Sequence, residues 1–586
     1  MYSNMKNVGI LIALLKEYNI KNLVLAPGGS DIPIIHSVEE DPFFECFSVV
    51  DERSLVYFAM GLSQEKNMPV ACICTSGTAV SNFLPGITEA YYQNVPIVAI
   101  TADKNPYFLE QLETQKINQM NIFNNVCKKC VDLPLINSEM DEWLSSRLIN
   151  EALLELYHHG TGPVQINIPI MGDTTVYTED KLPKVKKINL VESTAENYEW
   201  DKYKKRLSEV KKILVVVGQN VDFKDATVVK MSMMMKKYGC VFSVEHMSNI
   251  DFDGCVHTYP LTEMQKNNLS KELIPDIVIS MGNNVASYAI KSILRANHSH
   301  IEHWEIDPCG RIRDTYMCLT TVFECSVDWF LDKILDYEYK GASCDYLNLW
   351  NKHIGKLQYP EFQYSNFYIA KLLAKTIPEN SILHLAILNS TRIMQFFKLN
   401  PGVRTYSNIG ALGIDGCLST FIGQAVSTDK LAFCLIGDLS FFYDMNAASI
   451  RHLSNNARII MLNNGGGSEF HFFMGKEKIP TINKYISVAN NRIAKGWVES
   501  LDYKYYAIQN TEQADQIIPL LAQKSDRAIF VEVFGDMEED ARLSRIFYES
   551  NYPEDIKSGV KKLASRILSD KSYQKLLKIY GIIKNR

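Results

Sequence analysis

Several features that would place a protein in a special class are missing from this sequence. No run of about 18 uncharged apolar residues occurs, so no membrane-spanning helix is expected. There is no long basic run either. With a net charge of −6, the chain is not expected to take nucleic acid as its main partner. The thirteen cysteines are scattered. Cys127 and Cys130 form a lone C-x-x-C without a second pair at zinc-site spacing. That predicts free thiols, a structural role for the pair and a reducing, cytoplasmic location. The strand ends of the middle third lack G-x-G-x-x-G, which speaks against a dinucleotide. The opening MYSNMKNVGILIALLKEYNI has an apolar centre, but Lys16 and Glu17 follow at once without a small-residue cleavage site. It is expected to form a first helix rather than a signal peptide.

What is present is an ordinary globular composition, 46% apolar and 22% charged, over 586 residues. That length has room for about three to four domains. The N-terminal third alternates apolar runs with helical patterns. Strands are expected at Asn22–Ala26, Phe47–Val50, Val70–Thr75 and Pro96–Thr101, with helices after the second (Ser54 to about Gln64) and third. The middle third has runs at Ile213–Val217 and Asp276–Ser280, and the last third at Ser381–Leu388, Leu431–Ile436 and Arg458–Leu462. Strand–helix alternation implies doubly wound parallel sheets with their loops at the carboxyl edge. The polar stretch from Gly172 to Trp200 reads as a linker. The segment beyond Met537 has helical spacing and is expected to form a solvated extension packed on the body.

The richest stretch runs from Ile436 to Phe470. Gly437-Asp438 follows one apolar run, and Asn463-Asn464-Gly465-Gly466-Gly467 follows the next, with a charged, helix-like segment expected between them. The spacing suits one strand–helix–strand crossover, which sets a carboxylate and a carboxamide oxygen side by side at neighbouring strand ends. Both are hard donors of the kind Mg²⁺ prefers, and the glycines let backbone groups approach an anion. Either half alone is a common turn. Together they predict a Mg²⁺–diphosphate site. Glu52, between a strand end and a helix start, is on its own an ordinary first-turn acid.

The motifs D-E-R (51–53), T-S-G-T-A-V-S-N (75–82), I-T-A-D (100–103), S-N-I-G-A-L-G-I-D-G (407–416), I-G-D-L-S (436–440) and N-N-G-G-G (463–467) resemble the thiamine diphosphate enzymes. Within them the closest likeness is to the menaquinone-pathway carboxylate synthase family. The resemblance implies three α/β domains: pyrimidine-binding (1–182), a central scaffold (183–345) to which no FAD is assigned, and diphosphate- and Mg²⁺-binding (346–586) with a C-terminal helical extension. Glu52 would be the catalytic carboxylate that bonds N1′ of the aminopyrimidine. The cofactor would then decarboxylate a 2-oxo acid donor and pass the acyl group to a carbonyl or enoate acceptor. Asp438, Asn464 and the Gly466 carbonyl would hold the metal. Pro27, Gly28, Thr78, Asn389, Ser390, Gly413, Ile414, Gly437, Leu439, Ser440, Gly467 and Phe470 would hold the cofactor. Ser30, Lys104, Gln115, Glu469 and His471 would face substrate. A homodimer or homotetramer with shared active sites is implied as well.

The sequence departs from that family where the substrates' carboxylates are gripped. The family's arginines fall on Ser30, Lys104, Met394 and Ile409, and its middle-domain Lys-Arg pair near Tyr288 and Ala289. Glu469 stands at a position that is apolar in the family, where it would repel an anion or be protonated. Arg392, two positions from the lost arginine, could recover one contact. Three readings follow: a carboligase with a different acceptor, a sugar derivative being one candidate; the menaquinone reaction itself; and a non-catalytic cofactor-binding scaffold, against which Glu52 argues.

Overall fold

The computed structural model describes residues 1–188, 200–220, 223–311, 313–336, 341–473 and 479–552. Residues 189–199 of the expected linker and 553–586 of the expected C-terminal extension lie outside them. The predicted first helix, α1, spans Lys6–Glu17.

Three six-stranded, wholly parallel sheets organise the chain, as the alternation of strand and helix predicts. The first sheet has β1 (Asn22–Leu25), β2 (Glu45–Ser48), β3 (Val70–Cys74), β4 (Ile97–Asp103), β5 (Lys129–Asp132) and β6 (Val164–Pro169), in the order β2-β1-β3-β4-β6-β5. The second has β7 (Ile213–Val217), β8 (Val241–Val244), β9 (Cys255–His257), β10 (Ile277–Met281), β11 (Glu302–Ile306) and β12 (Leu319–Phe323), in the order β12-β11-β10-β7-β8-β9. The third has β13 (Ile382–Leu385), β14 (Arg404–Tyr406), β15 (Ala432–Gly437), β16 (Ala457–Asn463), β17 (Lys504–Ile508) and β18 (Ile529–Phe534), in the order β14-β13-β15-β16-β18-β17. The first and third sheets share one strand order, and the second has the dinucleotide-fold order. Each therefore has a point where the winding reverses, and such points gather ligands at the carboxyl edge.

Local chemistry sets the element ends. Helix α2 (Ile32–Glu39) carries Pro33 in its first turn. Helix α3 begins at Glu52, ahead of the expected Ser54, because the Asp51 side chain accepts from the N–H groups of Arg53 and Ser54; it runs to Lys66. The second strand sits two residues earlier than expected. Val50 is 73% exposed, outside the ladder, as the chain turns into that cap. The expected strand Ser381–Leu388 stops at Leu385. Its last three residues form a tight turn, with Ala386 and Ile387 buried and Leu388 partly buried at φ 64°, and only their apolar character made them read as strand. The β15–β16 crossover has no long charged helix. It is a short helix, Asp438–Tyr443, and a 3₁₀ turn, Met445–Ser449.

The first and third units share one apolar core. Helix α3 crosses a helix of the third unit, Cys417–Val426, at two glycines. A Cβ on Gly61 would lie 2.1 Å from the Thr420 carbonyl, and one on Gly423 equally close to that of Phe58. Only glycine permits so close an approach. Beside this crossing a buried glutamine network joins all three units. Gln64 donates to Gln93 at 2.9 Å, Gln424 to Gln64 at 2.8 Å, and Gln219 to Gln93 at 3.1 Å and to the Ser407 carbonyl at 2.7 Å.

Candidate active site

The candidate residues gather in two groups, each at the carboxyl edge of a sheet. In the first unit, Pro27 and Gly28 follow β1, Glu52 opens α3 after β2, and Thr78 opens α4 (Thr78–Tyr92) after β3. The Glu52 side chain is half-buried and has no hydrogen-bond or ion-pair partner among the described residues. Ser30 Oγ lies 3.2 Å from Ser76 Oγ, and Gln115 Nε2 donates to the Ser76 carbonyl at 3.0 Å, so these two candidate residues meet around Ser76. Lys104 is turned outward, with its Nζ on the Thr114 carbonyl at 2.5 Å and Glu113 at 3.4 Å.

In the third unit the residues after β13, β15 and β16 meet. Asp438 opens the short helix after β15. Its Oδ1 accepts from the Leu439 N–H at 2.7 Å, and its Oδ2 is buried without a partner. Burial lifts the Asp438 carboxyl to about 6, against the pull of nearby N–H groups from Leu439 and Gly465. Asn464, at the end of β16, donates its Nδ2 to Asp540 at 2.8 Å, which leaves Oδ1 for another ligand. Gly466 holds φ 148°, and a Cβ there would lie 2.7 Å from the Ser487 carbonyl. An orphaned buried carboxylate oxygen, a carboxamide with its nitrogen already tied and a glycine-only backbone turn fit an oxygen-ligated divalent cation. Among the described residues no group of three or more His, Cys, Asp or Glu could hold a metal ion, so a cation here would rest on one carboxylate with carboxamide and backbone oxygens.

The remaining candidates surround that pair. Asn389 donates to Ser468 at 2.8 Å, and Ser390 is buried beside it at the start of a helix from Asn389 to Met394. The Ile414 carbonyl accepts from Ser440 at 2.8 Å, which fastens the Gly413–Ile414 loop to the start of the Asp438 helix, next to Gly437 and Leu439. The Gly467 N–H donates to Ser487 at 2.7 Å, and Phe470, 36% exposed, packs against Gly467. His471 is buried, with Nε2 2.6 Å from Asn483 Oδ1.

Glu469 does not stand free: it is paired within the protein. Arg392 places Nη1 2.5 Å from Glu469 Oε1, and both side chains are largely buried. Burial works against the Arg392 charge, but Glu469 with Tyr259 and Tyr548 together outweigh it and hold that guanidinium above its ordinary range. The contact that Arg392 could have restored to a substrate is thus spent inside the protein. Met394 and Ile409 are core residues, Ala289 is buried, and Tyr288 is 52% exposed with its ring 5.4 Å from the Arg392 guanidinium.

Four residues escaped the sequence reading. Asp540 and Asn366 support Asn464 from 76 and 98 positions away, too far for any local pattern to signal. Lys291 lines a cavity of about 220 Å³ with Ile409, and burial lowers its pKa against the opposing pull of Glu245. Asp31 has both carboxylate oxygens buried and unpartnered. Burial lifts it to about 7, with the charge of nearby Glu52 adding to the shift. The one hint was an acid in the loop that carries Pro27 and Gly28.

The family model for the thiamine pyrophosphate enzyme N-terminal TPP binding domain matches residues 5–122. The 2-succinyl-5-enolpyruvyl-6-hydroxy-3-cyclohexene-1-carboxylate synthase of Bacteroides thetaiotaomicron is 36% identical over 563 residues, covering 94% of this chain and 99% of that protein. The protein of the same name from Phocaeicola vulgatus is 36% identical over 566 residues, with the same shares. That from Flavobacterium johnsoniae is 27% identical over 551 residues, covering 92% and 98%. Among the described residues no helix is long and apolar enough to cross a membrane. With its motifs, its three parallel sheets and relatives matched along nearly their whole length, the chain belongs to the 2-succinyl-5-enolpyruvyl-6-hydroxy-3-cyclohexene-1-carboxylate synthase family of thiamine diphosphate-dependent enzymes.

Proposed function

We propose that this enzyme decarboxylates a small 2-oxo acid and joins the acyl group to an acceptor other than isochorismate. Asp438, Asn464 and the Gly466 carbonyl would hold Mg²⁺. Asn389, Ser390, Gly437, Leu439, Ser440 and Gly467 would lie along the diphosphate, with Ile414 and Gly413 beneath the bend of the cofactor and Phe470 beside it. Thiamine diphosphate supplies the electron sink for decarboxylation. Glu52, with Pro27, Gly28 and Thr78 around the pyrimidine, would hold the proton at N1′. The domains are read as 1–182, 183–345 and 346–586, and the assembly as a dimer or a pair of dimers. In that assembly Glu52 of one chain serves the metal residues of another.

The observation that carries this reading is the Arg392–Glu469 pair. It neutralises a guanidinium two positions from that of the lost arginine, while Met394 and Ile409 are buried apolar side chains. A hydrogen bond to a charged group contributes roughly 1.5–3 kcal/mol, so losing three such contacts costs about 4–9 kcal/mol, a thousandfold or more in kcat/KM. Purified enzyme with Mg²⁺ and thiamine diphosphate is expected to release CO₂ from pyruvate and to turn over 2-oxoglutarate plus isochorismate negligibly. A kcat/KM above about 10⁴ M⁻¹s⁻¹ for the latter pair would sink the proposal. The competing reading is the menaquinone reaction itself, favoured by the names of the relatives and by Lys291, a cation beside Ile409.

A further inference from the structure

Beside the cofactor-side residues Asn389 and Ser468 opens a cavity of about 570 Å³. That is ample for a ligand well beyond the size of a small 2-oxo acid. Its lining holds two carboxylates, Glu263 and Glu469, and two cations, Lys266 and Arg392. The charges balance, and they are not equally available. Arg392 is committed to Glu469 and lies against the Tyr288 ring. Glu263 spends one oxygen on the Ser287 hydroxyl at 2.9 Å and the Ala289 N–H at 3.0 Å, and hydrogen-bond geometry leaves its second oxygen for a donor. The hydroxyls of Ser292 and Ser544 and the rings of Tyr288 and Tyr548 complete the polar wall.

We propose that this cavity takes the acceptor, and that the acceptor is an uncharged, polyhydroxylated carbonyl compound of the aldose type. The inference rests on the preceding reading that isochorismate is not the acceptor. A second carboxylate would meet two fixed anions and a guanidinium already neutralised, against which stands the single ammonium of Lys266. A polyol meets what each wall lacks. Its O–H groups donate to Glu263, it accepts from Lys266 and the serine hydroxyls, and its C–H face packs on the tyrosine rings. In the reaction the C1–C2 bond of the 2-oxo acid breaks and CO₂ leaves. The electron pair left on C2 forms the new bond to the acceptor's carbonyl carbon, and that carbonyl's oxygen takes a proton. The product is a hydroxy ketone, and no oxidant or reductant is consumed.

The test uses full-length enzyme loaded with Mg²⁺ and thiamine diphosphate, with pyruvate as donor. Xylose and erythrose are compared with glucuronate and glyoxylate as acceptors, while CO₂ release and the coupled product are followed separately by mass spectrometry. A kcat/KM at least about tenfold higher for the neutral acceptors is expected, the margin of one charge-assisted hydrogen bond. Glu263→Gln is expected to raise the KM for the neutral acceptor by at least about tenfold. Because Glu263 also caps a helix, Ser292→Leu, which fills the cavity from another side, is expected to raise the same KM. CO₂ release with no coupling to either aldose, or coupling that favours the carboxylated acceptors, would overturn this inference alone. Efficient turnover of isochorismate with 2-oxoglutarate would overturn the reading beneath it.

Discussion

Asp540 and Asn464 are joined by a 2.8 Å hydrogen bond in which the carboxylate accepts from the carboxamide nitrogen, and the same Asp540 oxygen accepts from Asn366 at 2.8 Å. An amide held by its nitrogen cannot turn that nitrogen toward a cation. Asp540 stands on the helix Met537–Glu549, so the last described helix of the chain sets the orientation of a candidate metal ligand just past the end of β16.

Asp540→Ala is therefore expected to weaken Mg²⁺ binding by about tenfold, one hydrogen bond to a charged group. Asp540→Asn, which keeps an acceptor oxygen, is expected to weaken it less. In an Asn464→Asp background, where the two oxygens are equivalent, Asp540→Ala should change the affinity little further. Titration calorimetry reads all three. A lowered Tm with unchanged Mg²⁺ affinity would reduce Asp540 to a packing residue.

Asp438→Ala is expected to abolish Mg²⁺-dependent binding of thiamine diphosphate. The same calorimetry, run with and without Mg²⁺, checks it. Retained affinity would remove Asp438 from the metal site.

Glu52→Gln keeps the shape of the side chain but cannot share the proton with N1′. It is expected to slow C2–H/D exchange of the bound cofactor by at least about a hundredfold, the low end of a general acid–base contribution, with an unchanged circular dichroism spectrum. Mixing Glu52→Gln with Asp438→Ala protein should restore activity to sites that combine one intact half from each chain. Proven subunit exchange without recovered activity would speak against shared sites.

The Arg392–Glu469 pair is the least readable part of the site. Its partners lie 77 positions apart, and neither position alone says that the two charges cancel. The strands were easier. Runs such as Leu431–Ile436 are buried on both faces, and an unbroken apolar run is the signature of a strand in a doubly covered sheet. The same rule overran at Ala386–Leu388, because a buried turn and a buried strand have the same hydrophobicity. Gly437-Asp438 and Asn463-Asn464 were legible because strand ends fix them. Asp540 and Lys291 were not, because helix packing brings them in from elsewhere.

Removing only Arg392 leaves a buried, unpaired carboxylate, a cost of about 3–5 kcal/mol. Arg392→Leu is expected to be less stable than the double variant Arg392→Leu/Glu469→Leu, where no charge remains. Urea unfolding of the three proteins checks the order, and equal stabilities would show that the pair is solvated.

The buried Asp31 carboxyl gives a pH signature. Its folded value, about 7, lies above the ordinary carboxylate value, so the fold binds its proton more tightly than the unfolded chain does. Stability from this group is greatest below pH 4 and is lost as pH rises through 7. Asp31→Asn should raise Tm more at pH 8 than at pH 5 by scanning calorimetry. An equal gain at both would place the carboxylate in contact with solvent.

The glutamine network bears on how such proteins can be recombined. A chimera that borrowed its middle third from another enzyme without an amide at Gln219 would lose two buried hydrogen bonds, leaving the Ser407 carbonyl with Gln93 alone and Gln93 Oε1 with Gln64 alone, at about 0.5–1.5 kcal/mol for each bond. Exchange of whole thirds is thus filtered by four buried side-chain amides. The three sheets are expected to be inherited together even where the residues lining a pocket change.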